Sequence, residues 1–505
     1  MTEHNEESEM RPNVLVIQTD DHAQWALGCY GNSELRTPSL DHLAATGVRM
    51  RNAFTPTPVC SPARASFWTG RLPSQHGLHD FLAEADPEVR TVDWLAGERT
   101  LAQILREDGY VTGLSGKWHL GYPERRPEGF DYWYSHSLPL FRSEAFESPW
   151  AKPAGDRALT YNRHAIADHA VDFLRARDRE RPFFLYVGFI ATHSPWTGHS
   201  ERLVSQYRNC TFRDIPDDPV YPFGRLATES LFPTRANPRE ALAQQYAAVT
   251  EIDEQVGRLL DELEAQHLLE DTLVVYTSDH GLNQGHHGVW GKGNGTHPYN
   301  MLEESIRVPL ILSHPGALLG GQVRDEMVTH CDLFQTILDH AGVALDAAER
   351  RRRRYPGRSF RAICRGDARS AWPEEVFGEY GNLRMIRTRE HKLVRRYPDG
   401  PAELFDLARD PRETRSFLDD PEYAPVVEEL TARLERYFAE YEDPRASGLR
   451  VKELPRHNSN EAWRWAGEHQ ILETPAWLEA IRAQMVADLE APDAPDGPRQ
   501  PHTSG

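Results

Sequence analysis

The sequence predicts an α/β fold: a large, mostly parallel sheet flanked by helices, followed by a smaller C-terminal part with an antiparallel sheet and a helix. Three observations carry that expectation. Short apolar runs alternate with amphipathic helical stretches, each run ends in a polar cluster, and the pattern changes after Gly357. Asn13 to Thr19 (NVLVIQT) reads as a strand buried on both faces and runs straight into Asp20 and Asp21. Thr37 and Pro38 form an N-cap and first-turn pair, with Leu40 and Leu43 as the apolar stripe and Gly47 as the stop. Thr100 to Gly109 repeats that grammar. Tyr110 to Ser115 is a second strand, ending in Gly116–His119 (GKWH). Phe183 to Ala191 is a third, ending in Thr192 and His193, and Thr272 to Thr277 a fourth, ending in Ser278, Asp279 and His280. Asn237 and Pro238 open the longest helix, with Leu242, Tyr246, Val249, Ile252, Val256, Leu259 and Leu263 on one face. In such sheets ligands bind beyond the carboxyl ends of the strands, where all four polar clusters fall.

Val376 to Leu407 gives short strands broken by Gly381, Asn382 and the Pro398-Asp399-Gly400 turn, and a helix follows from Ala424 to Tyr441. The boundary is placed near residue 370. This gives a domain over 12–370, a smaller one over 371–490, and disordered ends at 1–11 and 491–505. Arg350 to Arg354 reads as a solvated loop.

A chain of 505 residues has room for two or three domains, and 77 acidic against 57 basic side chains give a net charge of −20, which excludes a general nucleic-acid surface. Five cysteines (Cys29, Cys60, Cys210, Cys331, Cys364) are too sparse for a disulfide framework and fit a reducing compartment. The acidic start lacks the pattern of a secretory signal, and no run approaches a membrane span, so the expected location is cytoplasmic.

Asp20 and Asp21 at one strand end and Asp279 at another place three carboxylates at the mouth of a buried sheet. Such a group is costly unless a cation compensates it, and all-oxygen donors favour Ca²⁺ or Mg²⁺. Cys60, taken alone, reads as a small buried apolar residue.

Its surroundings read otherwise. In PVCSPARASFWTGR (Pro58 to Arg71), Cys60, Pro62 and Arg64 form Cys-x-Pro-x-Arg, with Thr69, Gly70 and Arg71 downstream; GYVTGLSGKWHLG (Gly109 to Gly121) is a second long match. With NVLVIQTDDH, YTSDHG (Tyr276 to Gly281), EESIRVPLI (Glu303 to Ile311) and ELFDLARDPRE (Glu403 to Glu413), the chain resembles the type I sulfatases of the alkaline phosphatase superfamily over about residues 12 to 440. The resemblance implies an alkaline phosphatase-like sheet and hydrolysis of a sulfate monoester to alcohol and inorganic sulfate. It implies that Cys60 is converted to Cα-formylglycine by a separate formylglycine-generating enzyme. The hydrated aldehyde attacks sulfur with one hydroxyl and expels sulfate with the other, an exit that a sulfated Ser or Cys would lack.

The resemblance further assigns Asp20, Asp21, Asp279 and His280, with the modified Cys60, to a metal, Ca²⁺ in preference to Mg²⁺. Many members have Asn where His280 stands, and imidazole is an atypical partner for calcium; the alternative is a hydrogen-bonding role beside Asp279. By the same resemblance Arg64 and His119 orient the diol, Lys117 and Lys292 hold sulfate oxygens, and His193, within His193–Pro195, protonates the departing alcohol. Trp133, Trp150, Trp196, Tyr207 and Tyr221 follow these motifs and either line a sugar or aryl pocket or anchor loops. His286, His287 and His297 lie near Lys292 without an assigned role. The expected partner is a small sulfated substrate, a sugar or an aryl ester, with no nucleic acid and no membrane. A phosphonate or phosphodiester hydrolase of the same superfamily is the alternative; a non-catalytic binding protein would be expected to have lost some of these residues.

Overall fold

β1 (Asn13–Thr19) lies at the heart of an eight-stranded sheet. The structure, a computed structural model, describes residues 11–458 apart from 85, 124, 137–162, 195, 197, 217, 222–224, 227–236 and 368–370. The expected disordered tail and Trp150 lie outside these residues. No described helix is long and apolar enough to cross a membrane.

The main helices and strands of this part, in chain order, are α1 (Pro38–Thr46), β2 (Val48–Phe54), α2 (Cys60–Thr69), α3 (Leu101–Glu107), β3 (Val111–Lys117), β4 (Tyr132–His136), α4 (Arg163–Ala176), β5 (Phe183–Gly188), α5 (Pro238–Ala265), β6 (Thr272–Ser278), β7 (Leu310–Ser313), β8 (Gln322–Thr329) and α6 (His330–His340). The sheet order is β8-β2-β7-β6-β1-β5-β3-β4. Every neighbouring pair is parallel except the two made by β7, which runs against β2 and β6. The expected mostly parallel sheet is therefore present.

The unbroken apolar run of β1 follows from helices on both faces. Val14 and Val16 pack with residues of α2, α3 and α6, while Leu15 and Ile17 pack with those of α1, α4 and α5. The seven apolar residues expected on the buried face of α5 are all buried, each contributing about 1.5–3 kcal/mol relative to exposure. Asn237 caps that helix by accepting from the Glu240 N–H at 3.2 Å.

Thr37 does not cap α1 as expected. Its hydroxyl turns to the Gly28 N–H and the Asp41 carboxylate. Asp253 of α5 instead accepts from Ser39 N at 3.1 Å and Leu40 N at 2.8 Å, so a tertiary carboxylate satisfies the free N–H groups. Arg350 to Arg353 is likewise not a loop but the end of a helix, Ala347–Arg353, capped at its start by Asp346. Basic residues at a helix C-terminus oppose the negative end of its dipole, which favours that outcome.

The C-terminal strands β9 (Glu375–Tyr380), β10 (Leu383–Thr388), β11 (His391–Arg396) and β12 (Glu403–Asp406) form an antiparallel meander. Helix α7 (Ala424–Tyr441) packs Leu430, Leu434 and Phe438 against Ile386, Leu393 and Leu404. The end of β9 reaches the large sheet's loops: Glu379 N donates to Pro56 O at 2.9 Å, just before Cys60.

Candidate active site

Parallel strands deliver the polar clusters to one edge. Thr19 and Ser278 are paired in register, so Asp20–Asp21 and Asp279–His280 emerge side by side. β3 ends on Lys117 at the same edge. A Cβ on Gly116 would lie 2.1 Å from the Gly188 carbonyl oxygen, so glycine is what allows β3 and β5 to approach where Lys117 leaves the sheet. Asp21 and His119 both have φ of 58°, a left-handed conformation uncommon outside glycine and often found at functional sites.

Cys60 is the first residue of α2, a helix buried along its whole length, and Val59 before it offers no side-chain cap. The positive end of the helix dipole therefore faces the thiol and favours negative charge there. Arg64 follows one turn later on the same face.

The Cys60 sulfur lies 3.0 Å from Lys292 Nζ, 3.4 Å from His280 Nε2 and 3.9 Å from Asp21 Oδ1. Lys292 Nζ also donates to Asp21 Oδ1 at 2.6 Å, and Lys117 Nζ pairs with Asp20 Oδ2. Arg64 donates through Nε to Asp279 Oδ2 at 3.0 Å, and its Nη2 is 2.9 Å from the same oxygen and 3.5 Å from Asp20 Oδ1. The other Asp279 oxygen accepts from the backbone N–H groups of Asp21 at 3.2 Å and His280 at 2.9 Å. His280 Nδ1 lies 2.8 Å from the Gly281 carbonyl, so that nitrogen carries a proton and Nε2 faces the cluster, 3.1 Å from Asp21 Oδ1 and 3.6 Å from Asp279 Oδ1. His119 Nε2 donates to Leu82 O at 2.9 Å, leaving the buried Nδ1 as the nitrogen that can interact with Cys60. His193 Nε2 lies 3.9 Å from Asp21 Oδ2, and its side chain, 22% exposed, is the most open of the set.

The electrostatics are those of crowded, desolvated charges. Burial and the Cys60 thiolate would raise the Asp20 carboxyl, but Lys117, His193 and Arg64 hold it below the usual range. Burial and the neighbouring Asp20 push Asp279 up to about 7 against His280 and Arg64. Burial would raise the Cys60 thiol; Lys117, Lys292, His280 and His119 bring it well below its ordinary value. Burial lowers His280 and His193, yet Asp279 carries the first up to about 9 and Asp21 raises the second.

Donor atoms of Asp20, Asp21, Cys60 and His280 all lie within 4.8 Å of one another, and Asp20 Oδ1 is buried without a hydrogen-bond partner. A divalent cation fits that donor set. Asp279 stands beside this group of four rather than within it, its oxygens engaged by Arg64 and two backbone N–H groups.

The remaining candidates lie elsewhere. His286 lies 3.0 Å from Asp214 O, His287 is 3.6 Å from Glu304, and His297 packs on Tyr299 at 5.4 Å. Trp133, Trp196, Tyr207 and Tyr221 are buried, the packing of loop anchors; the Trp196 indole N–H donates to Thr192 O at 2.8 Å.

Two residues that sequence reasoning did not single out lie beneath the site. The Tyr186 hydroxyl accepts from Arg64 Nη1 at 3.0 Å and donates to Gln18 Oε1 at 2.5 Å. Their signal was present: a Tyr and a Gln interrupt strands otherwise buried and apolar, and a buried polar group needs a partner.

A buried thiol at a helix N-terminus, ringed by carboxylates suited to a cation and by fixed positive charge, defines a hydrolase of anionic esters on an α/β scaffold. Residues 12–343 match the sulfatase family, and residues 285–440 match the C-terminal region of N-sulphoglucosamine sulphohydrolase. The chain belongs to the sulfatase family, the hydrolases of sulfuric esters. It is 27% identical to the N-acetylglucosamine-6-O-sulfatase of Bacteroides thetaiotaomicron over 86% of this chain and 88% of that one. It is 30% identical to the ulvan-active sulfatase of Formosa agariphila (86% and 82% covered) and 29% identical to the choline-sulfatase of Rhizobium meliloti (90% of each). A solved structure in complex with its substrate D-glucosamine-2-N,6-O-disulfate superposes with a TM-score of 0.67 at 25% identity, covering 86% of this chain and 98% of that one.

Proposed function

We propose that this sulfatase hydrolyses the sulfate monoester of a small molecule, a sugar or an aryl alcohol, using a formylglycine made from Cys60 and a bound Ca²⁺. The observation that carries this reading is the convergence on the buried Cys60 side chain of Lys292, His280 and Asp21 within 3.9 Å. The hydrated formylglycine supplies a nucleophile together with its own route for releasing sulfate, and Ca²⁺ supplies charge that favours its deprotonation. Asp20, Asp21, His280 and the modified Cys60 would hold the ion, with Asp279, beside them, as the further candidate ligand that the variant below tests.

Lys117 and Lys292 provide fixed positive charge for the non-bridging oxygens, where sulfuryl transfer, like phosphoryl transfer, rewards it most. Arg64 sets the position of Asp279 and offsets its charge. The lone pair on His119 Nδ1 is suited to accept a proton from the nucleophile. His193, raised by Asp21 and the most exposed of the group, is suited to protonate the departing alcohol. The sugar-sulfatase relatives and the glucosamine disulfate complex support a sulfated sugar as substrate.

The test is a panel of sulfated mono- and disaccharides, aryl sulfates and choline sulfate, run beside phosphate mono- and diesters and phosphonates. The protein is co-expressed with a formylglycine-generating enzyme. Sulfate turnover negligible beside phosphodiester turnover would sink the reading. Intact-peptide mass spectrometry should find an aldehyde at Cys60, and full activity with an unmodified thiol would contradict it. Asp279→Asn should lower both metal content and turnover, the latter by about 10²- to 10³-fold; unchanged metal content would remove Asp279 from the ion site.

A further inference from the structure

Lys292 hangs from a weakly structured stretch. It lies between a two-residue strand, Trp290–Gly291, and the turn Gly293–Gly295, so glycines flank it at 291, 293 and 295. Glycine backbone loses more freedom on ordering than any other, and a lysine side chain carries about 2 kcal/mol of rotamer entropy. Neither feature places an ammonium group accurately, yet Lys292 Nζ sits 2.6 Å from Asp21 Oδ1 and 3.0 Å from the Cys60 sulfur. Something else must fix its backbone.

Asn300 does so. It is fully buried, and its amide nitrogen donates to the carbonyl oxygens of Lys292 at 3.1 Å and Gly293 at 3.2 Å and to Thr296 Oγ1 at 3.0 Å. Its backbone N–H donates to the same Gly293 oxygen at 2.9 Å. Its Oδ1 accepts from the Leu302 N–H at 3.2 Å and from Ser305 Oγ at 2.9 Å. Because the Leu302 N–H only donates, the atom facing it must be oxygen, which settles the orientation of the amide.

Ser305 carries the connection onward. Its hydroxyl accepts from Asn283 Nδ2 at 2.7 Å, and its carbonyl accepts from Gly281 N at 2.9 Å. Asn283 Nδ2 also reaches the Gly291 carbonyl at 3.1 Å. The loop after Asp279–His280 and the loop bearing Lys292 are thus tied through two buried side chains.

We propose that Asn300, backed by Ser305, is a positioning residue for Lys292, setting its ammonium group relative to the metal-side loop. The proposal rests on the reading given above, that Lys292 holds a sulfate oxygen. Asn300→Asp keeps the shape but turns a carboxylate oxygen toward two carbonyl oxygens in place of an N–H donor. Displacements of about 1 Å cost up to about 100-fold in rate.

The experiment is a double-mutant cycle on the full chain with Cys60 converted, measuring kcat/KM for an aryl sulfate. Asn300→Asp should lower it about 10- to 100-fold in the wild-type background and by less than about 2-fold once Lys292→Ala has removed the group being positioned. Ser305→Ala, a milder change that covers poor folding of the first variant, should show a smaller loss with the same dependence on Lys292. Equal losses in both backgrounds, or normal turnover by Lys292→Ala, would overturn the proposal. Hydrogen exchange provides a readout independent of substrate: amides of residues 291–296 should exchange at least about 10-fold faster in Asn300→Asp, with those of β1 and β6 unchanged. Unchanged exchange at 291–296 overturns the pin even if no sulfate ester proves to be turned over, an outcome that would count separately against the proposed function.

Discussion

Two buried charge clusters in this protein share paired carboxylates and cations and differ in what else they enclose. At the mouth of the large sheet, Asp20, Asp21 and Asp279 face Arg64, Lys117 and Lys292. Where the small sheet meets the large one, Glu303 and Glu413 face Lys392 and Arg387. In the second cluster Lys392 Nζ donates to Met301 O at 2.6 Å and Glu303 Oε1 at 3.1 Å and pairs with Glu413, so all three of its protons are engaged. Arg387 takes the other Glu303 oxygen at 3.1 Å, and the Glu303 N–H donates to Glu413 at 2.7 Å. The first also encloses a thiol and an imidazole, with donor atoms of Asp20, Asp21, Cys60 and His280 within 4.8 Å of one another. A cluster of paired charges alone holds two parts of a fold together, whereas one that also gathers a thiol and an imidazole is arranged for chemistry.

The sharpest way to break this comparison is to remove one member from each side. Cys60→Ala should abolish turnover, on the order of 10⁶-fold for loss of a nucleophile, while changing folding stability by about 1 kcal/mol or less. Lys392→Met should do the reverse. It strands two buried carboxylates, so denaturant unfolding should show a loss of about 3–5 kcal/mol, with turnover per folded molecule near wild type. A stable, inactive Lys392→Met variant would erase the distinction.

A smaller effect concerns Glu84, whose carboxyl is buried near Lys117. Burial pushes its carboxyl up to about 8 from an ordinary 4.5, against the pull of Lys117 and Arg90. The folded state therefore keeps a proton that the unfolded chain releases. This group's stability contribution is full below about pH 4.5 and is lost as pH rises through about 8. Between pH 5 and 8, wild type should lose about 3–4 kcal/mol relative to Glu84→Gln, measured by urea unfolding at both pH values. A difference that does not vary with pH would show that Glu84 is ionised in the fold. The smallest effect is expected for Tyr186→Phe, which removes one acceptor from Arg64. It should cost about 1–2 kcal/mol of stability and about 10-fold in turnover. A shift in melting temperature with unchanged kcat would assign Tyr186 to the fold alone.

Much of the architecture was legible. The strands at Asn13 and Thr272 are unbroken apolar runs, the helix opened by Asn237 has helical periodicity and a start signal, and α7 over Ala424–Tyr441 has the periodicity. The strands Gln322–Thr329, at the edge of the sheet, and Val48–Phe54, next to it, were missed because they carry partly exposed and charged residues among the apolar ones. The helix carrying Cys60 was missed because it is buried on all sides and has no amphipathic stripe to read. The cap of α1 was misread because Asp253 lies 213 and 214 positions from the N–H groups it accepts from, a separation at which local pattern carries no information.

By itself, the sequence determined which residues stand at the ends of which strands, because a two-face-buried strand must be apolar along its length and so marks where its polar end begins. From the motifs it also supplied the family and the identity of the central cysteine. Only the tertiary structure decided which groups face one another. It brought Lys292 to Cys60 across 232 positions, put Tyr186 under Arg64, and left Asp279 beside rather than inside the group of four donors. The reason is physical: a strand end fixes position along one axis, but contact between side chains depends on register, crossover and loop anchoring, which many distant residues set together.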